Sequence, residues 1–126
     1  MTAVTDTTPG GVGFPTALVL PDGRLAVVYY DRERTALVAS IGPAGGTMTE
    51  TVLDDAGDRG MWASAVVDGA GTIHVAYQEA RGDQLFYTTL GAAPGMPELV
   101  DDGQRTGDRP HNVGAGAAIW LAGGVP

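Results

Sequence analysis

Cysteine and lysine are both missing from the 126 residues. Without cysteine there is no disulfide, no thiolate metal site and no thiol nucleophile. Without lysine there is no Schiff-base amine and no lysine of a phosphate-binding loop. Basic residues are few, and 7 arginines against 15 acids leave a formal net charge of −8. That balance argues against a nucleic-acid partner, which needs a basic footprint, and against a polybasic hold on an anionic membrane. Serine occurs only as Ser40 and Ser64, and neither lies in a G-x-S-x-G elbow. Long apolar runs are absent too. The least polar stretch, Val113 to Val125, is broken by glycines and is shorter than the roughly 20 residues a bilayer requires, so no membrane insertion is expected. The start, Met1-Thr2-Ala3-Val4-Thr5-Asp6, lacks the basic and apolar regions of a secretory signal, and the compartment stays open.

Glycine and proline are abundant, at 20 and 8, which disfavours long helices. The organising feature is an internal repeat with a spacing of 48 residues. Gly23-Arg24-Leu25-Ala26-Val27-Val28-Tyr29-Tyr30-Asp31 matches Gly71-Thr72-Ile73-His74-Val75-Ala76-Tyr77-Gln78-Glu79. Upstream, Thr16 falls on Ser64 and Ala17-Leu18-Val19 on Ala65-Val66-Val67; downstream, Leu37 falls on Leu85. Leu53-Asp54-Asp55 then meets Val100-Asp101-Asp102 with one residue of slip. This divides the chain into a first copy over 12–59, a second over 60–108, the opening of a third over 109–126, and a tail of a preceding copy over 2–11. Alternating apolar residues bounded by turn signals predict four strands per copy. They fall near 13–20, 24–30, 35–41 and 47–53, then near 61–67, 72–79, 84–90 and 96–100. Pro21-Asp22-Gly23 and Asp68-Gly69-Ala70-Gly71 read as hairpin turns, and the short connections favour a meander.

Val67-Asp68-Gly69-Ala70-Gly71-Thr72-Ile73-His74-Val75-Ala76-Tyr77, followed by Leu85-Phe86-Tyr87, resembles the D-x-x-G-x-x-h-V-a-Y … L-x-Y repeat of bacterial β-propeller proteins, many of them large and exported. The resemblance covers both full copies. It implies an all-β fold of antiparallel four-stranded blades, a partial β-propeller of about two blades. Strand spacing alone also fits a β-sandwich, but a sandwich has no reason to repeat residue identities every fourth strand. A blade pair carries two apolar flanks, so the expected role is a binding or scaffolding module that assembles with further blades, through a protein partner or self-association.

On a propeller the loops after the second strand of each blade and those between blades share one rim. That rim collects most of the acids and Arg32, Arg34, Arg59, Arg81, Arg105 and Arg109, all the arginines but one. The candidate ligand-binding set is Asp31, Arg32, Arg34, Arg59, Glu79, Arg81, Asp83, Arg109 and His111, facing a glycan, a peptide or a cation. Local Asp–Arg pairing accounts for the same composition. A second reading is a fragment of a sialidase-like propeller glycoside hydrolase, which would need two carboxylates across a cleft and converging arginines. The Asp-box S-x-D-x-G-x-T-W is not matched: Ser64 lies four residues before Asp68 and no tryptophan follows Gly71. Asp54, Asp55, Asp58, Asp101 and Asp102 offer hard oxygens beside glycine turns, as calcium needs. Tandem aspartates also cap turns, so calcium is the minor alternative and no cofactor is expected. His74 reads as a packed strand residue on the face opposite Ile73 and Val75.

Overall fold

The computed structural model describes residues 12–80, 84–103 and Ile119. Eight strands follow one another: β1 (Val12–Val19), β2 (Leu25–Asp31), β3 (Ala36–Gly42), β4 (Thr49–Asp54), β5 (Arg59–Val67), β6 (Ile73–Glu79), β7 (Gln84–Leu90) and β8 (Glu98–Asp101). They form two antiparallel four-stranded meanders, ordered β1-β2-β3-β4 and β5-β6-β7-β8. The protein is therefore all-β over the described residues, and among them no helix is long and apolar enough to cross a membrane.

The sequence repeat is also a repeat of register. Val28 faces Thr16 and Ala76 faces Ser64; Leu25 faces Gly42 and Ile73 faces Leu90. Irregularities recur at matching points, between Leu37 and Val38 in β3 and between Leu85 and Phe86 in β7. The one-residue slip is visible here: Leu37 opposes Asp54, whereas Leu85 opposes Asp101. The hairpins coincide as well. Gly23 N–H donates to the Leu20 carbonyl at 2.9 Å, and Gly71 N–H donates to that of Asp68 at 3.0 Å. Gly23 and Gly71 take φ of 89° and 86°, the left-handed region a three-residue hairpin loop requires.

Three strand starts differ from the sequence reading by two residues, each for a local reason. β4 starts at Thr49 because Gly46 N–H closes a turn on the Pro43 carbonyl at 3.0 Å. β8 starts at Glu98, directly after Pro97, which has no N–H for the ladder. β5 starts early, at Arg59, whose N–H reaches across to the Thr35 carbonyl at 3.1 Å.

The two sheets share one core. The first contributes Leu20, Ala26, Val28, Leu37 and Ala39; the second contributes Ala65, Ile73, Val75, Tyr77 and Phe86. Shifted by one repeat, Ala26 and Val28 correspond to His74 and Ala76, which lie on the side of β6 away from Val75 and Tyr77. The sheets therefore meet through opposite faces, the front of one on the back of the next. The outer face of the first sheet holds a smaller cluster of Tyr29, Ala36 and Val38, backed by Val27.

Candidate functional site

Where β4 leaves the first sheet and β5 enters the second, three polar side chains lock the sheets together. Tyr77 is fully buried and its hydroxyl donates to Asp54 Oδ2 at 2.6 Å. Arg59 Nη1 reaches the same oxygen at 2.9 Å, and its guanidinium lies 3.8 Å from the centre of the Phe86 ring. Asp54 Oδ1 accepts the Ala56 N–H at 3.1 Å, which fixes the turn. A carboxylate buried this far is tolerated because its cation and donors are all in place. Further links run alongside: Tyr30 donates to Asp58 Oδ1 at 2.5 Å, and Thr16 Oγ1 donates to the Ala63 carbonyl at 3.0 Å.

The sequence-derived rim residues divide between this clasp, a second network and open solvent. Arg59 belongs to the clasp, and Glu79 is buried beside it, paired with Arg59 in the β5–β6 ladder. Asp31 is buried; its Oδ1 accepts the N–H groups of Glu33 and Arg34 at 3.0 and 3.2 Å, closing the β2–β3 turn. Arg34 ion-pairs with Asp31 at 2.9 Å and with Glu50 at 2.7 Å, while Glu50 also accepts the Tyr29 hydroxyl at 2.8 Å. Arg32 is exposed and its guanidinium lies over Gly13. The rim charges that stay exposed among the described residues are Arg32, Glu33, Asp55 and Asp102, together with the Arg34 head. Arg81, Asp83, Arg109 and His111 lie outside the described residues, as do the segments 2–11 and 109–118.

Of the acidic groups considered for calcium, three have protein partners and Asp55 and Asp102 are exposed. Asp54 serves Tyr77, Arg59 and Ala56; Asp58 accepts Tyr30; Asp101 Oδ1 accepts the Gly103 N–H at 2.8 Å, the counterpart of the Asp54–Ala56 turn. Among the described residues no group of three His, Asp or Glu side chains converges in a way that could hold a metal ion.

One polar chain was not assembled from the sequence. His74 Nε2 lies 2.8 Å from Asp68 Oδ2, and His74 Nδ1 lies 2.7 Å from the Tyr87 hydroxyl. A carboxylate accepts, so Nε2 carries a hydrogen and donates it to Asp68. Asp68 Oδ1 also accepts the Ala70 and Thr72 N–H groups at 2.9 and 3.0 Å, so the hairpin turn itself aims the carboxylate at the histidine. The signal available in the sequence was divergence between copies: Asp68, His74 and Tyr87 stand where the first copy has Leu20, Ala26 and Ala39. At the same end of the molecule a cleft of about 360 Å³ separates the two hairpins, lined by Pro21, Asp22, Arg24, Gly69, Gly71 and Thr72.

These networks perturb all 4 tyrosines in one direction. Burial, reinforced by Glu50, pushes Tyr29 up to about 12, and burial with the Asp58 hydrogen bond does the same to Tyr30. Tyr77 is raised further by burial and Asp54; Tyr87 is raised by burial with the charges of Glu98 and Asp68. A phenol held above its ordinary value of 10.0 contributes stability that is complete below that value and disappears as pH climbs through the folded one. Stability is therefore expected to fall between pH 10 and 12. Absorbance at 295 nm should show tyrosinate appearing in one step together with loss of the β-sheet circular dichroism. A separate tyrosine ionisation near pH 10 in the folded protein would contradict these buried contacts.

A scan of the chain against protein-family models finds no match, and a search of curated proteins finds none either.

Proposed function

We propose that this chain is a propeller-type assembly module, a pair of adjacent blades that binds further blades through its flanks and acts in binding or scaffolding rather than in catalysis. One observation carries the reading: successive repeats dock through opposite faces. Two sheets joined by an internal two-fold would bring like faces together. Front-to-back docking instead leaves the outer face of the first sheet ready for another unit, as in head-to-tail arrays. The sheets also approach each other most extensively through β5, which lies against β1, β2 and β3, while β7 touches β4. The match of Asp68–Tyr77 and Leu85–Tyr87 to a propeller repeat supports the same conclusion. The exposed charges at Arg32, Glu33, Asp55 and Asp102 form the polar rim available to a glycan, a peptide or a cation.

Light scattering on the purified chain tests this. The expected mass is a multiple of 12.8 kDa, or a mixture that shifts upward with concentration. A strictly monomeric species across a hundredfold range of concentration would speak against apolar flanks that seek further units.

A further inference from the structure

The two copies allow a residue-by-residue comparison of an occupied docking face with its unoccupied counterpart. The face by which the second sheet sits on the first includes Ala65, Val67, Ile73, Val75 and Tyr77. Its counterpart on the outer side of the first sheet is Ala17, Val19, Leu25, Val27 and Tyr29, with four of the five identical and the fifth an exchange of isoleucine for leucine. Tyr29 is buried, at 3% exposure, much as Tyr77 is, but the β1 side of the two faces differs sharply. Ala65, Ile73 and Val75 are 6%, 1% and 0% exposed, whereas Val19 is 66% exposed and Ala17 is open to solvent. A largely apolar hollow of about 170 Å³ lies there, lined by Ala17, Val19, Leu25, Val27 and Met48.

From the occupied interface, and on the assembly reading above, we infer that the β1–β2 half of this outer face is a docking site for another sheet with the chemistry of this chain's own first repeat. Such a sheet presents apolar residues at the positions of Leu20, Ala26 and Ala39, which share one core with Val75 and Tyr77. The outer face of the second sheet does not qualify, because those positions hold Asp68, His74 and Tyr87, tied to one another at 2.7–2.8 Å. A second copy of the chain stacked head to tail would set that polar chain against Val27. The occupant is therefore a first-repeat-type blade from another segment or another polypeptide.

The probe is the full chain with a duplicate of residues 12–59 placed ahead of Val12. The original Val12 is changed to glycine at the junction, because Gly60 occupies that position in the natural interface against the backbone of Leu37. The extended chain should melt in one transition, at least about 5 °C above the parent. Val19→Asp should leave the parent unchanged and remove that gain from the extended chain. Independent melting of the added repeat, or equal tolerance of Val19→Asp in both backgrounds, would overturn the inference. Light scattering of the parent separates this from the broader reading: oligomers abolished by substitutions at Tyr87 and His74 but not at Val19 would preserve assembly and place it on the other flank.

Discussion

Asp54→Ala should remove about 3–5 kcal/mol of folding stability, a loss as large as that of truncating a core side chain. The carboxylate is almost wholly enclosed and is the acceptor shared by Tyr77 and Arg59. Truncation strands a half-buried guanidinium and a buried hydroxyl at once. Arg59 has little reserve, since its Nε finds no acceptor among the described residues and its remaining partner is the Phe86 ring. A domain of this size holds about 5–15 kcal/mol in total, so the variant should unfold at far lower urea than the parent. The contrasting control is Arg24→Ala. Its ion pair with Asp22 is equally short, at 2.8 Å, but both side chains are more than half exposed. That change should cost at most about 0.5 kcal/mol. Equal effects from the two substitutions would mean that water reaches the clasp.

Gly60→Ala should cost about 2–4 kcal/mol, through two additive causes. Gly60 adopts φ of 113°, which a Cβ makes strained, and an added Cβ would sit 2.9 Å from Leu37 Cα. Leu37 is in the central strand of the first sheet and cannot yield without moving the core. Two other glycines separate the causes. Gly23 has φ of 89° but nothing within 4 Å, so Gly23→Ala should cost about 1 kcal/mol from strain alone. Gly69 has neither strain nor a close neighbour, and Gly69→Ala should lie within about 0.5 kcal/mol of the parent. The order Gly60, Gly23, Gly69 in urea midpoints is the expected result. An equal loss at Gly60 and Gly23 would show that the close approach to Leu37 is absent in solution.

The strands, the meander and even the register slip were legible because each copy writes them twice: what is noise in one hairpin is a pattern at a spacing of 48. The charged rim was legible as a location but not as a set of contacts. The sequence offers Asp31 and Arg59 as groups facing a ligand; in the fold Asp31 closes its own turn and Arg59 lies over the Phe86 ring. Composition cannot show this, because a carboxylate that caps a turn and one that awaits a ligand are the same residue in the same loop. The recurrence of Asp54 and Arg59 as Asp101 and Arg109 did carry a hint of a structural role, since every repeat must be fastened to the next. Which faces meet was hidden for a different reason. In β2 both sides are apolar, Ala26 and Val28 on one and Val27 and Tyr29 on the other, so hydrophobic alternation gives no preference. His74 was correctly set opposite Ile73 and Val75, but its partners Asp68 and Tyr87 sit in a turn and on a neighbouring strand, and only the register brings them together.

The front-to-back meeting of the two sheets is the claim on which the rest depends, and proton–proton contacts in solution test it most directly. In a methyl- and aromatic-labelled sample, the Tyr77 and Phe86 rings should show nuclear Overhauser effects to the methyl groups of Val28, Leu37 and Ala39. Contacts from the Tyr77 ring to Tyr29 and Val27, which would place equivalent faces together, would contradict it.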